Sequence, residues 1–443
     1  MMPKLPFTKS EYEQRQESLL NSISKNDIVI ITTNDVMIRS NDVNYPFRAN
    51  SYMLYLCGWE EENSILLMEN NGSNWIKTLY VNPTNTEKEI WEGRRQGVEG
   101  ARKFWPVDNA KSIHSLFEDL VVIKSKNKKI HINQKPKYFV DLIVDNLESR
   151  DSFDNFLSNV NDVNILIDKL RVIKSNAEIK HMRASCAIAS SAIIQAMKKS
   201  YSGMGEWELQ AIIEQFYKMN KSQTSYIPII GGGDNSTILH YKKNNSVIEE
   251  GSLVLVDAGC EINGYASDIT RTWPINGTFT KEQKEIYKIV LKAQKAAIES
   301  CQVGFDWNKM HESSVLHISE GLLELGIIDT DLGDIIGENF DGRYRDFFMH
   351  GTGHLLGLDV HDVGGGRKGD DNPGPSLQPG MIVTVEPGLY FSKWRSDVSI
   401  PDKYAGIGIR IEDDILITEN GPEIITKSCP KEIEDIEVLI RNK

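Results

Sequence analysis

The chain has 443 residues, of which 40% are hydrophobic and 26% charged, enough apolar material for two or three cores of ~100–200 residues each and too much for a wholly disordered protein. Its net charge of −13 argues against a phosphate-backbone binder, so no nucleic-acid partner is expected. No run approaches the ~20 apolar residues of a membrane span, the N-terminus MMPKLPFTKSEYEQRQESLL has no continuous apolar stretch, and Cys57, Cys186, Cys260, Cys301 and Cys429 form no C-x-x-C, so a cytoplasmic, membrane-free protein without a disulfide framework is expected.

The first ~170 residues read as mixed α/β. Residues 10–25 place Tyr12, Leu19, Leu20 and Ile23 among polar residues, a surface helix. IVIITT (28–33), SILLM (64–68) and TLYV (78–81) read as short buried strands. The basic run KSKNKK (124–129) reads as a solvated loop. A domain boundary falls near residue 172, giving domains of 1–172 and 173–443. Just beyond it, Ser175 and Glu178 have the spacing of a capping box, which opens a long helical pattern. Helices also fit 206–219 and 280–299. From residue 250 the strands are strongly apolar: SLVLVDAG, MIVTVEPG and GIRIEDDILIT.

These last strands carry the polar residues that matter. LVLVDAG reads as a strand buried on both faces, yet it ends in Asp257, and a buried carboxylate is costly unless paired or bound to a cation. Asn263-Gly264 favours a two-residue type I′ hairpin turn. That turn sets Ile262 opposite Tyr265, Asp257 opposite Thr270 and Asp268 opposite Gly259. Asp257 and Asp268 then become diagonal neighbours on one face, roughly 7–8 Å apart by backbone position. In MIVTVEPG, Thr384 and Glu386 share a face; in GIRIEDD, Arg410 and Glu412 do. MHGTGHLLGLDVHD places His350, His354 and His361 among glycines that permit close backbone approach. Asp257, Asp268, His354, Glu386 and Glu412 are the candidate metal ligands. A hard, oxygen-rich set with one imidazole suits two divalent ions, Mn²⁺ foremost.

Each signal alone has a plainer explanation. An Asp at a strand end is more often a cap, a mid-chain His is usually packed or solvated, and Arg410 beside Glu412 fits an ion pair. Cys260 fits a core position better than a nucleophile, and the GGGD and GGGRK runs lack phosphate-loop spacing. The joint occurrence of the acidic residues on buried strands, with a His-rich Gly loop between them, favours a metal site.

In order along the chain, ILHYKKN, LVLVDAG, YASDITRTW, HGTGHLLGLDVHD, TVEPG and GIRIEDD resemble the motifs of the pita-bread metallopeptidases. RSNDVNYPFRANSYMLYLCGW (39–59), EIWEGRRQG (89–97) and RVIKSNAEI (171–179) resemble segments of the bacterial Xaa-Pro aminopeptidases, also called aminopeptidase P. The resemblance implies an α+β protein, an N-terminal mixed α/β domain followed by a catalytic pita-bread domain. It implies that Asp257 binds one metal, that Asp268 and Glu412 bridge both, and that His354 and Glu386 complete the second. Glu386 would shuttle a proton. His240, His350 and His361, with Arg410 behind them, would form the substrate region and steady the tetrahedral intermediate. Asp42 and Trp91 would approach a neighbour's active site in a homo-dimer or homo-tetramer. After His361 no Arg stands where the family carries its substrate-contacting one; Arg367 or Lys368 is the candidate in its place.

The implied activity is release of the N-terminal residue from peptides with proline at the second position, by attack of a metal-bridging hydroxide. Prolidase, which cuts Xaa-Pro dipeptides with the same ligands, is the alternative. Methionine aminopeptidase lacks this large N-domain, and creatinase-like hydrolases lack the metal ligands. A non-catalytic binding protein on the same fold is the alternative from another class, and such proteins have lost ligands that are all present here.

Overall fold

The computed structural model describes residues 5–125, 128–147, 160–365 and 374–442. The chain forms two compact units, Met1–Arg171 and Val172–Lys443.

In the first unit the Ile28–Thr32 strand is buried along its whole length and lies inside a six-stranded sheet. On one side it pairs antiparallel with Ile65–Asn70, which pairs in turn with Trp75–Val81. On the other it pairs parallel with Ile130–Ile132 and then Val160–Asp162. The 65–81 hairpin is longer than its apolar segments suggest, because Glu69 pairs with Ile76 and Asn70 with Trp75 up to a turn where Gly72 adopts φ 102°. The first helix, Lys9–Leu20, stops short of residue 25; Asn21 ends it and Ile23 buries itself beyond. Within the basic run, Lys128 is not simply solvated, since its ammonium meets Glu69 Oε1 at 2.9 Å. Lys126 and Asn127 lie outside the described residues.

The second unit opens with the Asn176–Lys199 helix. Its capping box is formed on both sides: Ser175 Oγ accepts the Glu178 N–H at 3.3 Å, and the Glu178 carboxylate accepts the Ser175 N–H at 2.9 Å. Glu206–Met219 and Lys281–Glu299 are helices where the pattern places them. Asn308–Glu324 is a further helix that the pattern hides, because its buried face includes Ser314, Ser319 and Gly321.

Two antiparallel hairpins hold the polar residues of interest. In the first, Leu253–Asp257 pairs with Thr270–Pro274, Asp257 opposite Thr270. Nearer the tip, Cys260–Ile262 pairs with Tyr265–Ala266, Ile262 opposite Tyr265, with Asn263 at φ 53° and Gly264 at φ 82° in the turn. The register is the one the two-residue turn dictates, and between Asp257 and Cys260 it is carried by single backbone bonds, Ala258 N–H to Ile269 O at 3.0 Å and Ser267 N–H to Cys260 O at 2.9 Å. In the second hairpin, MIVTVEPG and GIRIEDDILIT are each two strands rather than one. Ile382–Val385 pairs with Asp413–Thr418, and Gly388–Phe391 with Ile407–Arg410. Continued across the gap, this register sets Glu386 opposite Glu412. The ladder thins there to one bond, Ile411 N–H to Pro387 O at 3.3 Å, for a physical reason. Pro387 has no N–H to give. The N–H of Glu412 goes to Thr270 O of the first hairpin, at 3.1 Å. The apolar alternation holds on both sides of the gap: Val383 and Val385 enter one core cluster, Ile409 and Ile411 another.

Gly259 is the tightest point of the first hairpin, where a Cβ would stand 1.8 Å from Ser267 O. Gly259→Ala should cost ~1–3 kcal/mol through forced backbone movement. The melting temperature should fall by roughly 5 °C for a unit of this size. An unchanged melting curve would show that the strands are not held this closely.

Candidate metal centre and active site

At each strand break a carboxylate turns toward one place. Asp257 ends one strand and Asp268 precedes its partner. The Tyr226 hydroxyl lies within hydrogen-bonding reach of both, 2.5 Å from Asp268 Oδ1 and also against Asp257 Oδ1. One hydroxyl proton satisfies one of them at a time. Thr270 Oγ1 donates to Glu412 Oε2 at 2.6 Å, tying the two hairpins together at the site. The N–H of Glu386 donates to Thr352 O at 2.8 Å, which fixes the acid against the His-rich loop.

His354 is placed by its own loop. Gly353 before it packs so closely that a Cβ would lie 2.0 Å from Thr384 O. The His354 N–H donates to Thr384 Oγ1 at 3.0 Å. Its Nδ1 donates to Leu355 O at 3.0 Å, which leaves Nε2 facing Asp268 Oδ2 at 3.5 Å and Glu386 Oε1 at 3.6 Å. Ligand atoms of Asp268, His354 and Glu412 lie within 4.8 Å of one another, and all three residues are buried. That donor set, with Asp257 and Glu386 beside it, fits a divalent metal.

Without a metal the site is strained by its own charge. Burial drives the Glu412 carboxyl well above the usual range, and Asp268, Glu386 and Asp257 add to the effect. Burial lifts Glu386 to about 7 and Asp257 to about 6, with Arg410 opposing in both cases. Burial works against a charged His354, yet Asp268 and Glu386 outweigh it and hold its pKa at about 9.

Arg410 is buried beneath these acids and spends its guanidinium on Asp257 Oδ2 at 2.5 Å, Tyr390 Oη at 3.0 Å and Thr270 Oγ1 at 3.1 Å. Its ion pair is therefore with Asp257 and not with Glu412. The three remaining histidines differ. Both ring nitrogens of His350 are engaged: Nδ1 with Gly351 O at 2.7 Å and Nε2 with Tyr390 Oη at 2.8 Å. Burial, then Arg410, pushes its pKa down to about 3, so it is neutral at ordinary pH. His361 is exposed and packs edge-on against His354 with ring centroids 4.2 Å apart. His240 is exposed, and partial desolvation with Arg410 and Lys242 lowers its pKa.

The other expected residues lie elsewhere. Asp42 is at the exposed tip of the Ile38–Ser40 and Val43–Asn44 hairpin of the first unit. Trp91 is 88% exposed on that unit's Thr86–Glu92 helix. Arg367 and Lys368 lie outside the described residues. Cys260 is a buried core residue. Tyr226, Tyr390 and Asp414 are parts of the site that sequence reading misses. Tyr226 and Tyr390 sit in apolar segments where an aromatic reads as core. Asp414 Oδ2 accepts from the Asp268 N–H at 3.1 Å and from Cys186 Sγ at 3.2 Å, and the doubled acid after Glu412 was the available hint.

Comparison with known proteins gives these features a family. A sequence model of metallopeptidase family M24 matches residues 180–419, and one of the aminopeptidase P N-terminal domain matches residues 12–132. The chain is 38% identical over 441 residues to the Xaa-Pro aminopeptidase of Haemophilus influenzae, covering 99% of this chain and 98% of that one. Among solved structures, proline aminopeptidase P II from Yersinia pestis superposes with a TM-score of 0.90 at 37% identity, covering 99% of this chain and 100% of that one. Aminopeptidase P from Escherichia coli with the inhibitor Pro-Leu does so with a TM-score of 0.90 at 35% identity, covering 98% and 99%. The chain belongs to metallopeptidase family M24 and carries the aminopeptidase P N-terminal domain ahead of its M24 domain.

Proposed function

We propose that this chain is a metal-dependent aminopeptidase that releases the N-terminal residue from peptides with proline second. The observation that carries the reading is the convergence of four carboxylates and one imidazole at the breaks of two hairpins, in a chain that matches Xaa-Pro aminopeptidases along almost their full length. Asp257, Asp268, His354, Glu386 and Glu412 are the proposed ligands of two divalent ions, Mn²⁺ by the hardness of the donors. When bound, such ions polarise a carbonyl and lower the pKa of water.

The chain's own residues supply the rest. Glu386, opposite Glu412 and 3.9 Å from the His350 ring, takes a proton and delivers it to the leaving proline nitrogen. His361, exposed beside His354, is the proposed donor to the developing oxyanion, and both nitrogens of His350 bond within the protein. His350 instead links Gly351 to Tyr390 and Arg410, and so steadies the floor of the substrate region. His240 lines its rim. The five cysteines are buried and unpaired, which suits the cytoplasm as the place of action.

Metal should hold the site together. Where the folded protein binds protons more tightly than the unfolded chain, stability is lost as pH rises through the folded pKa. Glu386, Glu412 and His354 are all raised, whereas unfolded carboxylates and imidazole titrate near ~4 and ~6.5. The chelated protein should therefore lose melting temperature between pH 6.5 and 8.5. Mn²⁺ should raise the melting temperature, flatten that slope and restore activity. Full activity in exhaustively metal-free protein would sink the metallopeptidase reading.

Proline specificity follows from the substrate's chemistry. Replacing the second-position proline by alanine removes ring burial, worth ~1–3 kcal/mol in a hydrophobic pocket. It also adds an N–H that costs ~1–3 kcal/mol if left unpaired. Xaa-Pro-Yaa should exceed Xaa-Ala-Yaa in kcat/KM by roughly 10²–10⁴-fold. Equal rates would move the assignment to a general aminopeptidase, and cleavage of the Xaa-Pro dipeptide alone would move it to prolidase.

We also propose that the enzyme is a homo-dimer or homo-tetramer in which Asp42 and Trp91 complete a neighbour's site. The exposed apolar side chains of the first unit, Ile38, Val43, Tyr45, Ile90 and Trp91, support this reading. Mixing Asp42→Ala and His354→Ala subunits should regain activity that neither has alone. A fully active monomer by light scattering would defeat the idea.

A further inference from the structure

The His354–Asp362 loop is fastened from beneath by a buried ion pair. Lys174 Nζ lies 3.0 Å from Asp362 Oδ2, and both side chains are 1% exposed. Lys174 itself is fixed: its N–H donates to Gly380 O at 2.9 Å and its ammonium also reaches Val172 O at 3.3 Å. Asp362 lies next to His361. The Asp362 N–H donates at 2.8 Å to Leu355 O, the same carbonyl that accepts His354 Nδ1 at 3.0 Å. The pair is enclosed tightly enough that a Cβ at Gly357 would stand 2.2 Å from Asp362 Oδ2 and 3.0 Å from Lys174 Cε.

We propose that Lys174 is a positioning residue which, through Asp362, sets both the carbonyl that aims His354 at the metal and the backbone that presents His361 to substrate. The loop buries Leu355, Leu356 and Leu358, whereas its polar ends, His354 and Asp362, need a fixed point of their own. The charge pair supplies that fixed point at Asp362, and a buried carboxylate left without its cation would pull this end of the loop toward water. The carbonyl behind a ligating histidine fixes its ring orientation and tautomer. The His361 half of the inference rests on the aminopeptidase reading; the His354 half requires only that the site binds metal.

The test uses the full chain, stripped of metal and titrated with Mn²⁺ by calorimetry, followed by kcat and KM on an Xaa-Pro-Yaa tripeptide at saturating Mn²⁺. Lys174→Met should weaken Mn²⁺ binding by roughly 10-fold or more, as loss of a group supporting a ligand does. It should lower kcat by ~10-fold with KM changed less than ~3-fold, and Lys174→Arg should recover most of both. In a His361→Ala background, Lys174→Met should lower kcat by less than ~2-fold, because residues acting through one another are not additive. Unchanged Mn²⁺ affinity, or an equal kcat loss in both backgrounds, overturns the proposal. If Lys174→Met does not fold, Lys174→Met with Asp362→Leu removes both charges at once, a change that buried pairs often tolerate. The same losses are expected there, and wild-type affinity and kcat in that double variant overturn the proposal. A wild-type chain that binds Mn²⁺ but cleaves no Xaa-Pro peptide contradicts the activity instead, and the calorimetric comparison then decides the role of Lys174.

Discussion

Three acids, Asp257, Asp268 and Glu412, are buried together beside the part-buried Glu386, and the cost of that burial shapes the catalytic unit. Two carboxylates ~4 Å apart repel by about 4 kcal/mol at the effective dielectric of a protein. Arg410 is spent on Asp257, and His354, held protonated by Asp268 and Glu386, offsets the rest only in part. A divalent ion held by these residues would offset the repulsion. The regular ladders are accordingly interrupted where the acids turn inward, at Asp257 and Asp268 in one hairpin and at Glu386 and Glu412 in the other, leaving single bonds such as Ala258 N–H to Ile269 O and Ile411 N–H to Pro387 O. The lost ladder bonds are replaced by bonds between the hairpins, Glu412 N–H to Thr270 O and Thr270 Oγ1 to Glu412.

Behind the acids lies a second set of buried charges that fixes the backbone carrying them. Arg271 is wholly buried, donates to the carbonyls of Thr270 and Glu412, and pairs with Asp413 at 2.6 Å. Lys431 reaches the other oxygen of Asp413 at 2.6 Å. The two cations outweigh the burial of Asp413 and hold its carboxyl below the usual range. On the opposite side Asp414 accepts the Asp268 N–H. The acids after Glu412 therefore have separate duties: Asp413 anchors one hairpin to the other through Arg271, and Asp414 fixes the strand that presents Asp268. Broken singly, such pairs leave an unmatched buried charge, so they specify one geometry for the site.

Much of this was legible in the sequence, and the reasons are local. The Asn263-Gly264 turn fixes a two-residue loop, and a fixed loop fixes every cross-strand partner behind it, so the placement of Asp257 and Asp268 could be derived by counting. The Ser175–Glu178 capping box is likewise a short-range signal. The strand breaks were not legible, because they depend on a partner from another hairpin. Tyr226 was not legible because a tyrosine in SYIPII looks like core until its hydroxyl is seen between two aspartates. His350 shows the opposite case: its place in the site was expected, but the commitment of both its nitrogens depends on Tyr390, 40 residues away. Alternation predicted that Arg410 shares a face with Glu412; only the packed structure shows that it serves Asp257.

The acids of this site converge, on the reading proposed, in order to bind metal. Anomalous diffraction at the manganese edge, from crystals grown with Mn²⁺, tests it most directly. Two anomalous peaks ~3.5–4 Å apart are expected, as in two-metal hydrolases. Asp257 should contact one of them, Asp268 and Glu412 should lie between them, and His354 with Glu386 should hold the second. A site without anomalous signal at saturating Mn²⁺, or ions held by other residues, would contradict it.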